Sequence, residues 1–280
     1  METISSSKVV FVVGSSTGVG LAVTKHFLNN GYRVAATARS KETLIKAVGI
    51  QDGSSSSSSF LALEDDLQDD EKINQTIQQV MKHFGRIDIV LFNAGKGLLG
   101  TVEEISDQEL KEVFNINFFA CASVLRHVTK HLESGAYVFT TSSIVAVLQS
   151  PIIGAYCATK SAMDGLVVSY AKEVEPLGIR CTTLNLGGFD SQFAQAAQHA
   201  AANLKERYAA TYQPFPAFVK SIEKKDPNNI GPILLEMVNR CDRPAPSHLF
   251  IGLDAINISR NVYGGLEKEI DQFEHLTALK

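Results

Sequence analysis

Continuous apolar runs alternate along this chain with longer segments in which apolar residues recur every three or four positions. Val9–Val13 is the first run, and its β-branched and aromatic residues predict a strand that is buried on both faces. Further strands are predicted at Arg33–Arg39, Phe60–Leu63, Ile87–Phe92, Ala136–Thr141, Gly178–Leu184 and His248–Gly252. Because helical segments separate these runs, the pattern predicts an α/β fold with about seven parallel strands and helices on both faces of the sheet.

Besides the predicted helices, two segments between the strands have an unusual composition. Helices are predicted at Lys41–Val48, Ile73–Phe84, Leu110–Leu132, Tyr156–Glu173, Ile230–Arg240 and from Asn261 onward. Residues 191–229 are Ala-rich, aromatic and helical in pattern, so we interpret them as a helical insertion that helps to select the substrate. Residues 54–59 are all serine, which predicts a flexible surface loop. No break in composition divides the chain, so residues 1–280 are interpreted as one domain.

Composition and charge argue against several classes of function. The 280 residues are 45% hydrophobic and carry a net charge of −4, which gives no basic field for nucleic acid or an anionic membrane. No apolar run is long enough to span a membrane, and Met1–Lys8 is too polar for a signal segment. The four cysteines lack the spacing of metal ligands or of a disulfide framework, so we expect free thiols, no metal and a cytoplasmic location.

A glycine-rich loop follows the first predicted strand directly and precedes a segment of helical pattern. Its candidate cofactor-binding residues are Gly14, Ser16, Thr17, Gly18, Val19 and Gly20. Glycines in such a loop let backbone N–H groups approach a pyrophosphate, and the helix N-terminus stabilises the negative charge. The arrangement is typical of a Rossmann-type, doubly wound domain that binds a dinucleotide. The alternative interpretation is a tight turn between strand and helix that binds nothing.

The ends of the next two strands carry further candidates for the cofactor site. Arg39 ends the second strand, where the adenosine ribose of a bound dinucleotide would lie, and no acid stands beside it. A guanidinium there favours the 2′-phosphate of NADP(H) over NAD(H), whereas the alternative is a solvated arginine on a loop. Asp66 and Leu67 follow the third strand, where an acid can accept a hydrogen bond from the adenine amine. The alternative is that an acid here caps the next helix, at Asp69 or Asp70.

The candidate reacting groups follow the fifth predicted strand. Ser143 stands at its carboxyl end, and Tyr156 and Lys160 begin the next helix four residues apart, on one helix face. The ammonium is expected to lower the pKa of the phenol, so that Tyr156 exchanges a proton with a carbonyl or alcohol oxygen near neutral pH. Ser143 can donate a hydrogen bond to the same oxygen. Taken alone, a tyrosine and a lysine at this spacing are more often a surface contact between neighbouring helical turns.

These motifs, in this order, resemble the short-chain dehydrogenase/reductase family, in its single-domain branch. The resemblance rests on the glycine loop, on Asn93-Ala94-Gly95 after the fourth strand, and on Asn117, Ser143, Tyr156 and Lys160 at the family's intervals. It implies that the last four residues form the catalytic tetrad. Tyr156 would transfer the proton, Ser143 would hold the substrate oxygen, and Lys160 would bind the nicotinamide ribose and lower the pKa of Tyr156. Asn117 would hold a water that links Lys160 to solvent.

The motifs and the resemblance together give the remaining cofactor contacts that we expect. Besides the glycine loop they are Arg39, Asp66, Leu67, Asn93, Ala94, Gly95, Tyr156, Lys160, Gly187, Phe189 and Ser191. The chain departs from the family pattern at three positions, Val13, Phe92 and Leu186. Leu186 replaces a proline, so the loop after the sixth strand loses a fixed φ angle.

We therefore expect an NADP(H)-dependent, carbonyl reductase-like oxidoreductase that reduces a ketone or aldehyde, with the proton from Tyr156. Two alternatives stay open: a dehydrogenase that oxidises a steroid-, retinol- or sugar-like alcohol, and a nucleotide-binding regulator without catalysis. Apolar residues near the motifs predict an apolar small-molecule substrate, although they also suit a hydrophobic core. They include Val145, Val147, Leu148, Ile152, Ile153, Phe189 and Phe193. The resemblance also implies a homodimer or homotetramer formed through the two long helices.

Overall fold

The computed structural model describes residues 8–50, 57–191, 193, 196–240 and 244–278. Its strands are β1 (Val9–Val13), β2 (Arg33–Ala38), β3 (Phe60–Glu64), β4 (Ile87–Phe92), β5 (Leu98–Leu99), β6 (Leu132–Ser143), β7 (Arg180–Leu186), β8 (Gln198–His199) and β9 (His248–Ile251). Its α-helices are α1 (Gly18–Asn29), α2 (Lys41–Val48), α3 (Asp70–Phe84), α4 (Asp107–Phe114), α5 (Ala120–Val128), α6 (Gly154–Val174), α7 (Ala209–Tyr212), α8 (Phe215–Ser221), α9 (Ile230–Asn239) and α10 (Leu253–Thr277). Every strand predicted from an apolar run is present.

Seven of the strands form one sheet in the order β3-β2-β1-β4-β6-β7-β9, and each neighbouring pair is parallel. The chain runs outward from β1 to β3 and then returns to β4 on the other side of β1. A crevice therefore lies at the carboxyl ends of β1 and β4, which is where open parallel sheets bind ligands. β5 and β8 pair separately as a short parallel ribbon. The predicted Rossmann-type, doubly wound fold is confirmed.

Both faces of the sheet are buried, which explains why its strands are continuously apolar. All five residues of β1 are buried, and successive side chains point to opposite faces. Phe11 belongs to the core between the sheet and the layer of α3, α5 and α6. Val10 and Val12 belong to the core on the other face, where α1 and α9 pack. Each strand thus joins the two cores on either side of the sheet.

Side-chain caps set several helix ends. Asp69 caps α3, because its carboxylate accepts hydrogen bonds from Glu71 N at 3.0 Å and Lys72 N at 3.2 Å. This cap starts α3 before Ile73, where the apolar periodicity alone placed the start. Gly85 ends the helix in the left-handed conformation, with φ of 77°.

The long helix predicted at Leu110–Leu132 is wrong in its extent. The segment is divided into α4, a π-helical turn at Asn115–Phe119 and α5, and residue 132 already belongs to β6. Apolar residues continue at helical spacing across the turn, so the periodicity gives no sign of the break. The turn widens the helix by one residue around Asn117, and such turns are frequent at functional sites.

Other expectations fall partly outside the described residues. Among its described residues, the helical insertion predicted at 191–229 contains two short α-helices, α7 and α8, a 3-10 turn at Pro227–Asn229 and the short strand β8. Of the serine loop, Ser57–Ser59 is exposed and residues 54–56 lie outside the described residues. Cys121, Cys157 and Cys181 are buried free thiols, whereas Cys241 is not described. Within the described ranges, no helix has the length and apolar character needed to cross a membrane.

A buried carboxyl at the end of β3 opposes folding near neutral pH. Asp65 is 6% exposed, and neither of its carboxylate oxygens has a hydrogen-bond partner among the described residues. Burial raises the pKa of Asp65 to about 6 from the ordinary 3.8, and the nearby Thr76 hydroxyl opposes only part of this shift. The unfolded chain ionises at the ordinary value, so the native state loses stability as the pH rises from 3.8 to about 6, and the loss stays constant at higher pH.

We expect Asp65→Asn to stabilise the protein at pH 8 by up to roughly 3 kcal/mol, because the amide cannot ionise. The gain should shrink as the pH falls towards 4, where the wild-type carboxyl is also neutral. Urea unfolding of both proteins across this range measures the difference. Asp66→Asn is the matched control, since Asp66 has an exposed side chain. An equal gain from Asp65→Asn at every pH would contradict the prediction.

Candidate active site

Three backbone segments meet closely at the crevice between β1 and β4. Gly14 has a φ of 86°, and a Cβ atom there would lie 2.8 Å from the backbone nitrogen of Ala94. A Cβ atom at Gly20 would lie 2.1 Å from the carbonyl oxygen of Gly14. Larger residues at these two positions would push the segments apart. The glycine loop, residues 14–20, is therefore packed against the loop that follows β4.

Asn93 ties the glycine loop to the end of β6. Its side-chain Nδ2 donates to the carbonyl oxygen of Gly14 at 2.7 Å, and its Oδ1 accepts from Thr141 Oγ1 at 3.0 Å. The backbone nitrogen of Ala94 also donates to Val13 at 3.0 Å. These bonds fix the relative positions of the carboxyl ends of β1, β4 and β6.

The glycine loop opens onto the N-terminus of α1. Thr17 is the N-cap residue of α1, and its side chain makes no capping hydrogen bond. The first N–H groups of the helix are thus available to an anion. Val19 is buried beneath the loop, whereas Ser16 is partly buried and Thr17 is exposed. Such a cradle fits the pyrophosphate of a dinucleotide.

Arg39 and Asp66 stand at neighbouring strand ends, because Ala38 of β2 pairs with Glu64 of β3. The Arg39 side chain is exposed, and within the described part of the chain it makes no hydrogen bond or ion pair. Asp66 forms an exposed ion pair with Lys72 at 3.7 Å and accepts a hydrogen bond from Gln68 N at 3.2 Å. Leu67 packs on the adjoining core. Arg39 is therefore placed to meet an anion beside the glycine loop.

Helix α6 and strand β6 bring the candidate reacting groups together. Lys160 is 3% exposed, and its Nζ donates to the carbonyl oxygen of Thr141 in β6 at 2.8 Å. Tyr156 lies one helical turn earlier on the same face of α6. Ser143 ends β6, and its hydroxyl approaches the Tyr156 phenol. The Ser143 hydroxyl and the Tyr156 phenol thus lie together, and Lys160 follows one turn later on the same face of α6.

The electrostatics of Tyr156 differ from the sequence-based expectation. Burial of the hydroxyl end raises the pKa of Tyr156 above its ordinary value, and the Ser143 hydroxyl opposes only part of this shift. The expected lowering of this pKa by Lys160 is wrong for this structure, because burial has the largest effect and Ser143, not Lys160, is the group that opposes it. Burial also lowers the pKa of Lys160 to about 8. The phenol is consequently held protonated at neutral pH.

Asn117 lies at the π-helical turn and clamps the loop after β4 to α6. Its Oδ1 accepts from Lys96 N at 2.8 Å, and its Nδ2 donates to Lys96 O and to Thr159 Oγ1, both at 2.9 Å. Both amide hydrogens are therefore used in bonds to protein atoms. A Cβ atom at Gly95 would lie 3.5 Å from both Asn117 Oδ1 and Lys160 Nζ, so Gly95 leaves room between these two groups.

Residues after β7 cover this volume. The rings of Tyr156 and Phe193 lie with their centroids 5.3 Å apart. Ser191 lies over the glycine loop, where its Cβ would be 3.2 Å from a Cβ atom at Gly18. The first described residues of the predicted insertion therefore lie against the glycine loop and against Tyr156.

Two carboxylates that sequence analysis did not single out hold residues 196–212, here called the lid segment, in place. Glu104 is 3% exposed and accepts hydrogen bonds from Leu204 N at 3.0 Å and from the Tyr212 hydroxyl. These bonds, first that from Tyr212, lower the pKa of Glu104 to about 2. Glu109 accepts from Ala201 N at 2.7 Å. Only their contacts identify them, since Glu104 lies in the turn before α4 and Glu109 in α4 itself, where acidic residues are common.

Asp254 holds the loop that lacks the expected proline after β7. Its Oδ2 accepts from Gly188 N at 2.7 Å, and its Oδ1 lies 2.7 Å from Lys225 Nζ. A Cβ atom at Gly187 would lie 2.2 Å from Asp254, so only glycine fits there. Phe189 forms a backbone bridge with Lys225. The missing proline at Leu186 is thus compensated by contacts with the start of α10.

Most of the residues predicted to line an apolar pocket pack in the hydrophobic core instead. Val145, Val147 and Leu148 pack with Ala255 of α10 in a separate core cluster. Ile152 and Ile153 are also buried. Phe193 is the member of the predicted set that contacts the Tyr156 ring. Among the described residues, no group of three His, Cys, Asp or Glu side chains is arranged to hold a metal.

The chain is similar in sequence and in structure to known oxidoreductases. The sequence model described as short chain dehydrogenase matches residues 8–202. An uncharacterised oxidoreductase of Schizosaccharomyces pombe is 27% identical over 95% of this chain and 89% of its own. NADPH-dependent aldehyde reductase 1 of Arabidopsis thaliana, a chloroplastic protein, is 32% identical over 62% of each chain. A short-chain dehydrogenase structure from Streptomyces avermitilis is 26% identical, covers 99% of both chains and has a TM-score of 0.86.

Proposed function

This chain belongs to the short-chain dehydrogenase family, and we propose that it is an NADP(H)-dependent oxidoreductase that reduces a ketone or aldehyde to an alcohol. The proposal is carried by the position of Ser143, Tyr156 and Lys160 at the end of β6, beside the glycine loop. The similarity to an NADPH-dependent aldehyde reductase supports both the cofactor and the carbonyl substrate.

The residues present fit a nicotinamide dinucleotide. The glycine loop, which a Cβ atom would fill at Gly14 or Gly20, would hold the pyrophosphate. Arg39 would bind the 2′-phosphate, Asp66 the adenine and Lys160 the nicotinamide ribose. The remaining proposed contacts are Leu67, Asn93, Ala94, Gly95, Tyr156, Gly187, Phe189 and Ser191. When bound, the nicotinamide supplies the hydride for reduction.

In the proposed reaction, Tyr156 donates its phenol proton to the carbonyl oxygen of the substrate. Burial raises the pKa of Tyr156, so at neutral pH the phenol is in the protonated form that reduction requires. Ser143 hydrogen-bonds to the same oxygen as charge develops on it. Lys160, whose pKa is about 8, is charged at neutral pH and stabilises the phenolate that forms.

The lid segment and Phe193 are proposed to select the substrate. Phe193 presents an aromatic surface beside Tyr156, so an apolar carbonyl compound is the proposed small-molecule substrate. The three buried thiols are the basis for proposing a cytoplasmic location.

We also propose that the protein is a homodimer or homotetramer that assembles through the α4–α5 segment and α6. Phe119, in the π-helical turn, is 56% exposed, and Leu110 of α4 is 38% exposed. A large aromatic side chain that is exposed on a helix surface is typical of the centre of a protein–protein interface.

Replacing Tyr156 with Phe should lower kcat for ketone reduction with NADPH by about 100-fold or more, because general acid catalysis is lost. The Kd for NADPH, measured by fluorescence titration, should change by less than about twofold, since the ring remains. Tyr170→Phe is the matched control: it also removes a hydroxyl from α6, here one bonded to Thr129, and activity should persist. Substantial turnover by Tyr156→Phe would refute the assigned role.

Wild-type protein should show a higher kcat/KM with NADPH than with NADH. Arg39→Ala should lower kcat/KM for NADPH by about 10- to 100-fold, because a charge-assisted bond to the 2′-phosphate is lost. The value for NADH should stay nearly constant. Arg260→Ala, an exposed position on α10, should alter neither value. A wild-type preference for NADH would overturn the assignment of Arg39.

Phe119→Asp should lower the molar mass of the particle in light scattering coupled to size-exclusion chromatography. A charge placed in the centre of an apolar interface opposes association, whereas it costs little on an open surface. Val102→Asp serves as the control, because Val102 is 88% exposed outside the proposed interface. A wild-type protein that elutes as a monomer would rule out the proposed assembly.

A further inference from the structure

The face of α6 that carries Tyr156 and Lys160 continues to a third ionisable residue. Asp164 lies four residues after Lys160, so the two side chains are neighbours on the helix surface. Both are almost fully buried, with Lys160 at 3% and Asp164 at 6% exposure. The reaction proposed above uses Tyr156 and Lys160 and leaves Asp164 without a role.

Polar groups from two strands surround the Asp164 carboxylate. Asn185 of β7 donates its Nδ2 hydrogen to Asp164 Oδ2 at 2.7 Å. Nδ1 of His248 in β9 lies 3.6 Å from the same oxygen and 2.9 Å from Thr183 Oγ1. The other oxygen, Oδ1, lacks a hydrogen-bond partner among the described residues. Burial raises the pKa of Asp164, whereas the Ser142 hydroxyl, the Asn185 amide, His248 and Lys160 all favour the charged carboxylate.

A buried ammonium needs compensation if it is to stay charged. Lys160 donates one hydrogen bond, to Thr141 O, and burial lowers its pKa to about 8. The Asp164 carboxylate opposes that shift more than any other group, with the Cys121 thiol next. Loss of the negative charge would therefore let the lysine lose its proton closer to neutral pH.

We propose that Asp164 is a positioning residue that keeps the buried side chain of Lys160 charged, with Asn185 and His248 holding the carboxylate in place. The effect on turnover rests on the proposed function, whereas the electrostatic effect on Lys160 does not. The titratable and polar groups that face Asp164 are Lys160 on α6, Cys121 on α5, Ser142 on β6, Asn185 on β7, His248 on β9 and Tyr263 on α10.

The direct test is the titration of Lys160 in the protein without added ligand. Protein with ¹³C-labelled lysine is titrated by two-dimensional NMR, and the Lys160 signal is assigned by its loss in Lys160→Met. In the wild type we expect a midpoint near pH 8. Asp164→Asn should lower that midpoint by about one pH unit or more, because an opposite charge nearby is removed. An unchanged midpoint would overturn the proposal.

Two further variants separate the effect of charge from the effect of packing. Asp164→Ser also removes the charge but has a different shape, so it should lower the midpoint by a similar amount. It also serves if Asp164→Asn fails to fold, which thermal melting shows. Asp107→Asn, which removes the exposed partner of Lys111, should leave Lys160 unchanged. A wild-type midpoint below pH 7 would also refute the proposal, and this measurement needs no variant at position 164.

The pH profile of ketone reduction gives the functional readout. In Asp164→Asn, the fall in kcat on the alkaline side should move to lower pH, while the plateau on the acid side stays close to the wild-type value. A purely structural role would lower kcat equally at all pH values. If the NMR midpoint moves and no reduction is found in any protein, the proposed function fails and the role of Asp164 stands.

Discussion

The site depends on keeping an ammonium group inside the protein. Lys160 is almost completely removed from solvent, and a buried charge without partners would cost several kcal/mol. Its hydrogen bond to Thr141 O requires that α6 pack at a fixed height against the end of β6. The bond from Asn185 to Asp164 fixes the next helical turn against β7. Polar bonds, as well as apolar packing, therefore set the position of α6 relative to the sheet.

Asn117 extends this constraint to the loop after β4. Its amide pairs with both backbone groups of Lys96 and also with Thr159 on α6, so one side chain joins three segments. A regular α-helix through Asn115–Phe119 would place the following residues at another angle, because a π-helical turn inserts one residue into the helix. The bonds of Asn117 are a physical reason for the turn to lie there. The π-helical turn and the fixed position of the loop after β4 therefore both depend on the side chain of Asn117.

The parts of the molecule that follow from local patterns could be predicted from the sequence. The apolar run Val9–Val13 must be buried on both faces, and that requirement leads directly to a parallel sheet covered by helices. The glycine loop marks the crevice for the same reason, since a close backbone approach excludes a Cβ atom. The extent of the helix predicted at Leu110–Leu132 was wrong because the bonds of the Asn117 side chain override periodicity. Local patterns carry no record of those bonds.

The other features that sequence analysis missed or predicted wrongly depend on residues that are distant in the sequence but close in the fold. The pKa of Tyr156 depends on how completely its surroundings exclude water, whereas the sequence showed only the lysine four residues away. Glu104 and Glu109 bind segments about 100 and 90 residues later in the chain, and these separations have no signature in a single sequence. The same holds for Asp254 and the loop at Gly188. Such residues are recognisable only once the fold has brought their partners to them.

A strained residue connects the lid segment to Tyr156. Among the described residues, Ile152 is the non-glycine residue with a positive φ, 73°, in a conformation that costs a β-branched side chain about 1–3 kcal/mol. Ile152 is buried, and its carbonyl accepts from Gly100 N at 2.7 Å. A Cβ atom at Gly100 would lie 2.6 Å from Ala200 of the lid segment. Since α6 begins two residues after Ile152, the contacts that hold the lid segment in place also hold the strained turn that sets the position of Tyr156.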